Sequence, residues 1–269
     1  MQNLLCIPNK LQKFSHLANL NTLFIGKVLQ QFNSLESTNT SARELIAKSS
    51  PIEGTVISAS FQTAGKGQIG SHWESEAGLN LLQSVILYPT FLLPRQSFEL
   101  NVMLSLAVAD WAAAYLEQQV RVKWPNDIMV DGQKLAGLLI HNGLQGAKIQ
   151  HSILGIGINV NQTQFQGYNT PACSLCMLNN GRQFDLPLLQ QNLFVAIERR
   201  YLQLRAGKLQ QLQADYLEKL WRFQTEALFT RPNGQTFNGT ITGINPQGKL
   251  MIRHQAGEEA FGMKEIIFS

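Results

Sequence analysis

The sequence predicts an α/β domain followed by a small all-β barrel, and three observations carry that prediction. Strand-like and helical patterns alternate over residues 23–223. At Glu226 the composition shifts to short apolar runs separated by Pro232-Asn-Gly234, Asn238-Gly239, Asn245-Pro-Gln-Gly248 and Gly257. Turn signals at intervals of roughly 8–12 residues mark a small barrel or sandwich. Finally, 269 residues with 44% apolar content can bury a full core, which suits one large domain with a small one behind it. The expected division is a leader over residues 1–22, the main domain over 23–224 and the barrel over 225–269.

Taken in order, residues 1–22 leave open a short helix or a disordered leader. Residues 23–32 have strand character, with Phe24, Val28 and Phe32 apolar. Residues 34–46 open a helix, where Ser37, Thr38, Asn39 and Ser41 are all suitable N-caps and Ser41 with Glu44 fits a capping box. Residues 54–61 and 80–87 read as strands. Leu100, Leu104, Ala107, Val108, Trp111 and Tyr115 recur at helical spacing within residues 97–118, which makes Trp111 a core residue. Val120 and Val122 alternate with Arg121 and Lys123 as in a half-buried strand, and Pro125 ends it. Residues 128–130, the dipeptide Asp131-Gly132 and residues 135–140 form a hairpin pattern with a type I′ turn. Asn142-Gly143 and Gln145-Gly146 read as turns before a strand over 149–160. Residues 186–207 and 209–223 read as paired helices with Gly207 as the C-cap between them.

The chain carries 22 Lys and Arg against 18 Asp and Glu, a net charge of +4. The charges are scattered. Their densest cluster, Arg199-Arg200 with Arg205 and Lys208, reads as the solvated face of a helix, so nucleic acid is not an expected partner. Cys6, Cys173 and Cys176 form no disulfide framework, which fits a reducing cytoplasm. The chain start lacks a signal-peptide pattern, and no window approaches eighteen uninterrupted apolar residues. A soluble cytoplasmic protein without a membrane partner is therefore expected. Cys173-Ser-Leu-Cys176 is a lone C-x-x-C without the second pair that zinc needs, and reads as incidental thiols. The histidines show no ligand spacing, and His72 alone stands out, inside a glycine-rich loop.

Chemistry concentrates elsewhere. Residues 121–140 bring Lys123, Asn126, Asp127 and Lys134 toward one sheet edge. Cations with an Asp able to hold Mg²⁺ suit the handling of phosphate. In Gln62-Thr-Ala-Gly-Lys-Gly-Gln-Ile-Gly-Ser-His-Trp73, Gly65, Gly67 and Gly70 spell G-x-G-x-x-G. A strand rather than a helix is expected next, so the dinucleotide fingerprint fails its context test. The stretch reads as a mobile loop whose amides approach phosphate with Lys66 as counter-charge, or as a merely flexible surface loop. Trp73 counts against the second reading. The polar residues at 37–41 either only cap the helix or receive an anionic or polar ligand at its N-terminus. Glycines 155 and 157 mark either a close approach or a bulge, and Asn159 lies within reach of a polar ligand.

Ser37-Thr38-Asn39, Gln62-x-Ala-Gly-x-Gly with Trp73, Lys123-Trp-Pro-Asn-Asp127, Lys134-Leu-Ala-Gly-Leu138 and Gly157-Ile-Asn-Val160 resemble, in order and spacing, the motifs of the biotin protein ligases. The likeness runs from about residue 24 to the C-terminus. It implies an α/β catalytic domain of the biotin/lipoate ligase type with a mixed sheet, followed by an SH3-like barrel. It also implies two reactions: biotin and Mg-ATP give biotinoyl-5′-AMP, and a lysine of a biotin carboxyl carrier domain, from acetyl-CoA carboxylase or a related carboxylase, then takes the biotinoyl group. ATP, Mg²⁺ and biotin are the implied small molecules, with no bound prosthetic group.

Position by position, the resemblance implies that Ser37, Thr38, Asn39 and Gln62 hold biotin, together with Gly65, Lys66, Gly67, Gln68, Lys134, Gly137 and Leu138. Trp73, Lys123, Asn126, Asp127, Lys134 and Asn159 would hold the nucleotide, with Asp127 the Mg²⁺ ligand. Lys134, Lys66 and Asp127 would be the catalytic set, and residues 65–73 would close over the adenylate to exclude water. The chain departs from many relatives, which have Gly-Arg-Gly-Arg-x-Gly where it has Gly65-Lys-Gly-Gln-Ile-Gly70. Lys66 keeps a charge without the bidentate fork, and Gln68 keeps hydrogen bonding without charge. Some relatives carry an N-terminal DNA-binding domain; residues 1–22 are too few for one, so the short form is expected. Some relatives dimerise, which leaves a homodimer open here. The nearest alternative is a lipoate or octanoyl ligase or transferase of the same architecture, against which the Ser-Thr-Asn triplet and the glycine loop weigh. A protein that only binds biotin would rest on Gln68 alone.

Overall fold

Residues 11–15, 21–68, 72–165 and 171–268 are described in the structure, a computed structural model. Most of the leader, Cys6 and Gly70 lie outside them. Leu11–Ser15 (β1) is nonetheless a strand, antiparallel to Leu29–Leu35 (β2), so part of the expected leader belongs to the main sheet. The strand expected over residues 23–32 starts only at Leu29. Residues 23–28 turn instead, because Glu198 accepts hydrogen bonds from the backbone N–H groups of Leu23, Phe24 and Ile25.

After β2 comes Thr38–Lys48 (α1) with Ser37 at its N-cap. The Ser41–Glu44 capping box does not form, because the helix starts earlier and Ser41 N–H already donates to Ser37 O at 3.0 Å. Val56–Gln62 (β3) runs parallel to β2, and Leu81–Leu87 (β4) antiparallel to β3. Phe98–Ala113 (α2) follows, and Trp111 is core as expected, 3% exposed with Nε1 donating to Leu189 O. Val120–Lys123 (β5), Asp127–Val130 (β6), Gln133–Gln145 (β7) and Lys148–Ile158 (β8) complete a mixed sheet in the order β1-β2-β3-β4-β8-β7-β6-β5. Asp131 and Gly132 have φ of 48° and 77°, both positive as a type I′ turn requires. Asn142-Gly143 is not a turn. It lies inside β7, where the register slips after Gly143 and the His151 ring covers the glycine so closely that a Cβ would lie 2.1 Å from it.

Leu175–Leu178 (α3), Leu186–Arg205 (α4) and Leu209–Lys219 (α5) follow. Helix α5 stops short of residue 223 because Trp221 N–H donates to Val122 O on β5. The basic cluster on α4 is not simply solvated. Arg200 is 8% exposed and its guanidinium meets Asp110 at 2.7 Å and Asp215 at 2.6 Å, tying α2, α4 and α5 together. A buried guanidinium is tolerable only with such partners.

Glu226–Thr230 (β9), Thr236–Ile244 (β10), Leu250–His254 (β11), Gly257–Phe261 (β12) and Ile267–Phe268 (β13) form a second, antiparallel sheet in the order β12-β11-β10-β9-β13. Strands β12 and β13 are its edges, so among the described residues hydrogen bonding does not close the expected barrel. Side chains alternate across the main sheet. Leu154, Ile156 and Ile158 of β8 join the large core with α2 and α4, whereas Ile153 packs with Ile57, Ile86 and Ala42 under α1. The α1 face continues past Ile153 to Gly155 and Gly157, which carry no side chains of their own and let Asn39 and Trp73 lie against the sheet. No helix among the described residues is long and apolar enough to cross a membrane.

Candidate functional site

That bare stretch of sheet floors a cavity of about 890 Å³. Its walls are the start of α1, the end of β3, the glycine loop, the β5–β6 junction, and Lys264 and Ile266 with strand β13 of the second sheet. Every residue predicted for the site lines it except Gly65 and Asn159. From Gly155 on β8 to Lys123 on β5 the cavity crosses three strand intervals, roughly 14 Å at the usual spacing.

At its centre Lys134 Nζ lies 2.7 Å from Asp127 Oδ1, both side chains about a fifth exposed (23% and 22%), and 5.6 Å from the centre of the Trp73 ring. The type I′ hairpin makes this pair, since it folds β7 back on β6 and sets Asp127 opposite Gly137. Trp73 reaches them because Gly137 and Gly157 face each other across β7 and β8. A Cβ on Gly157 would lie 2.5 Å from the indole, and one on Gly137 2.9 Å. The glycines in β8 therefore mark a close approach by side chains, and the ladder through them is unbroken. The Trp73 Nε1 has no acceptor among the described residues.

Gly65 closes the neck of the loop instead of lining the cavity. Its carbonyl accepts from Trp73 N–H at 3.0 Å, and a Cβ there would lie 2.4 Å from Trp73 O. Beyond it, Lys66 Nζ donates to Thr40 Oγ1 at 2.8 Å on α1, and Gln68 Nε2 donates to Asn126 Oδ1 at 3.0 Å. The loop thus straddles the cavity from helix to hairpin. Asn126 is itself fixed, its Nδ2 donating to Leu138 O and its carbonyl accepting from Leu138 N–H. Asn159 is 2% exposed and spends its amide on Cys173 O at 3.0 Å and Lys134 O at 3.4 Å. It fastens the backbone of Lys134, a role the local sequence does not reveal. Burial pushes the Cys173 thiol up to about 12, with Asp131 adding to the shift, and Cys176 is buried beside it. Both fit incidental thiols.

Two aromatic residues went unpredicted. Lys123 Nζ sits 5.3 Å from the Trp221 ring centre and 5.2 Å from that of Phe268. Burial pushes its ammonium below the ordinary lysine value, with Lys134 and Arg222 acting the same way and Asp127 against. Both rings come from the far end of the chain, so no local signal announces them. Ser84, buried on β4, was also missed, and its Oγ is hydrogen-bonded to Thr38 Oγ1 at 2.8 Å. Among the described residues no three His, Cys, Asp or Glu side chains converge as a metal site. Asp127 offers one carboxylate only.

The Biotin/lipoate A/B protein ligase family profile matches residues 31–159, the span from within β2 through α1 and the glycine loop to Asn159. The match covers just under half of the chain. The relatives matched over most of the chain are named as biotin ligases. The bifunctional ligase/repressor BirA of Bacillus spizizenii is 29% identical over 256 residues, 93% of this chain and 77% of that protein. The biotin--[acetyl-CoA-carboxylase] ligase of Mycobacterium tuberculosis is 29% identical over 236 residues, 84% of this chain and 85% of its own length. The fold is that of the Aquifex aeolicus biotin protein ligase solved with biotin and ATP, with a TM-score of 0.74 and 22% identity over 90% of this chain and 99% of that one.

Proposed function

We propose that this chain is an ATP-dependent ligase that activates biotin as biotinoyl-5′-AMP and transfers it to a lysine of a biotin carboxyl carrier domain, from acetyl-CoA carboxylase or a related carboxylase. One observation carries the reading. Lys134, paired with Asp127, stands midway along a cavity that has Thr38, Asn39 and Gln62 at one end, with Lys66 beside them against α1, and Lys123 at the other. A ligand made of two unlike halves fits that layout.

In the first step a biotin carboxylate oxygen attacks the α-phosphorus of ATP, an O–P bond forms, and the bond to pyrophosphate breaks. Both reactants are anions. A cation placed between them offsets their repulsion and stabilises the charge that grows on phosphorus. Lys134 is that cation, and the floor of Gly137 and Gly157 lets the ligand lie close to the sheet. Mg²⁺ would travel with the triphosphate, whose oxygens supply most of its ligands, and Asp127 would add one carboxylate. That arrangement suits a site at which no three His, Cys, Asp or Glu side chains converge among the described residues. In the second step a neutral carrier lysine attacks the acyl carbon. The C–O bond breaks, AMP leaves with the electron pair, and the amine proton passes to solvent. The loop held by Lys66 and Gln68 keeps water off the anhydride meanwhile. The second sheet is read as an SH3-like unit over residues 225–269 that completes the nucleotide end.

The test is pyrophosphate release with ATP, Mg²⁺ and either biotin or lipoate, followed by the intact mass of a carrier domain. A biotin-dependent mass gain on one carrier lysine is expected, with Lys134→Ala slowing adenylation by about 10²–10³-fold. A gain that depends on lipoate would transfer the chain to the lipoate branch. Biotin binding without pyrophosphate release would remove the enzyme assignment.

A further inference from the structure

The four residues just past β8, Asn159-Val-Asn-Gln162, are all buried, and three of them carry amides. A polar side chain at that depth is costly unless it is bonded, and each of the three ties a different segment. Asn159 holds the carbonyls of Lys134 and Cys173. Asn161 exchanges two hydrogen bonds with the backbone of Phe184 at the entry to α4, both 2.9 Å. Gln162, 2% exposed, turns toward the far side of the glycine loop.

Its Oε1 accepts from the backbone N–H of Glu76 at 3.0 Å and from Asn80 Nδ2 at 2.6 Å, and its Nε2 donates to Gln164 O at 2.7 Å. The main chain sets the direction of these bonds. A backbone N–H only donates and a backbone carbonyl only accepts, which fixes the Gln162 amide at both ends. Asn80 is fixed in the same way, because its Oδ1 accepts from Val160 N–H at 3.0 Å and its Nδ2 is the end that meets Gln162.

Trp73 takes its place from these ties. Behind it, its own N–H donates to Gly65 O. Ahead of it, Glu76 is exposed, yet its N–H is held by the buried Gln162. The indole between the two ties makes no hydrogen bond among the described residues, so its seat on Gly137 and Gly157 depends on packing and on where the backbone is pinned. Lys134 faces that ring at 5.6 Å, and its carbonyl is held by Asn159. Both sides of the contact are thus moored to one tetrapeptide. We propose that Gln162 is a positioning residue, which holds the outgoing arm of the glycine loop so that Trp73 stays aligned with Lys134. On the function proposed above, adenylation depends on that alignment.

Two substitutions separate positioning from packing. Gln162→Met keeps the length of the side chain and removes its hydrogen bonds to Glu76, Asn80 and Gln164. Gln162→Glu keeps an acceptor for Glu76 and Asn80 and gives up the bond to Gln164. Both variants are expected to melt below wild type. The Trp73 share of the emission is obtained by subtracting the spectrum of the same protein carrying Trp73→Phe. It should move to longer wavelength in Gln162→Met and stay in place in Gln162→Glu. Pyrophosphate release with biotin, ATP and Mg²⁺ should slow about tenfold in Gln162→Met, and by no more than about threefold in Gln162→Glu. Losses that follow the melting temperature rather than the acceptor would overturn the role of Gln162, as would a Trp73 spectrum unmoved by Gln162→Met. Should neither variant fold, amide exchange in the wild-type protein decides. Glu76 N–H should be protected as strongly as Gly78 N–H, which donates to Ser60 O at 2.8 Å, and free exchange at Glu76 would overturn the tie. Wild-type protein that releases no pyrophosphate would overturn the ligase reading alone, because emission and exchange report on Gln162 without turnover.

Discussion

At Gly157 a single methyl group decides where Trp73 can sit. The added Cβ would lie 2.5 Å from the indole carbons, too close for the ring to remain on the sheet. Gly157→Ala is expected to displace the indole, shift tryptophan emission to longer wavelength and slow adenylation by about tenfold or more, since the reacting groups lose their alignment. The backbone is not under strain at this glycine, so the melting temperature should change little. An unchanged emission spectrum would show that the ring has another way to fit. At Cys173 the expectation runs the other way. A thiol held near 12 by burial is almost wholly protonated at pH 8, and only the thiolate is nucleophilic. Cys173 should therefore resist alkylation in the native protein and react once it is denatured, as peptide mass mapping will show. Residue by residue, Lys134 and Asp127 were legible because a short hairpin joins them and its turn chemistry is local. Ser84 was illegible for the opposite reason, because its partners are 46 and 45 positions away and a serine in an apolar strand advertises nothing.

Among the elements, the segment before β2 depends on Glu198. This carboxylate is 5% exposed and takes three consecutive backbone N–H groups, a geometry that only an acceptor with two oxygens can serve. Glu198→Ala strands those donors, and thermal unfolding should register a loss of about 2–3 kcal/mol. The cavity stands apart from that segment, so biotin affinity at a permissive temperature should hold. A fall in biotin affinity without a fall in stability would contradict this separation. The same interaction explains why residues 23–28 read as strand and yet turn, since periodicity carries no information about a carboxylate on a helix far along the chain. The Asn142-Gly143 dipeptide failed similarly, because the packing of His151 onto Gly143 favours a continued ribbon over a turn. Helix α2 and the hairpin were legible because each is specified within its own window.

For the whole molecule the decisive feature is the seam between the two sheets. Trp124 Nε1 donates to Gly248 O at 3.0 Å, and Phe98 packs on Gly248, whose φ of +79° and missing Cβ both favour glycine. The seam holds Phe268 against Lys123, so the second sheet conditions a cation of the first. Burial is the leading cause of the lowered Lys123 ammonium value. The charged form is therefore disfavoured in the fold, a cost present below the folded value and relieved as pH rises toward the ordinary one. If Lys123 serves the nucleotide as a cation, the KM for ATP should rise on an alkaline limb that begins below the ordinary lysine range. Phe268→Ala removes one ring and admits water. Losing that cation–π contact should raise the KM for ATP about fivefold at neutral pH, with biotin affinity unchanged within about twofold because the urea end is three strands away. With water restored around Lys123, the alkaline limb should move to higher pH. A limb that moves down or stays fixed would mean that the rings hold the ammonium charged more than burial discharges it, and the second sheet would then act on the nucleotide by shape alone.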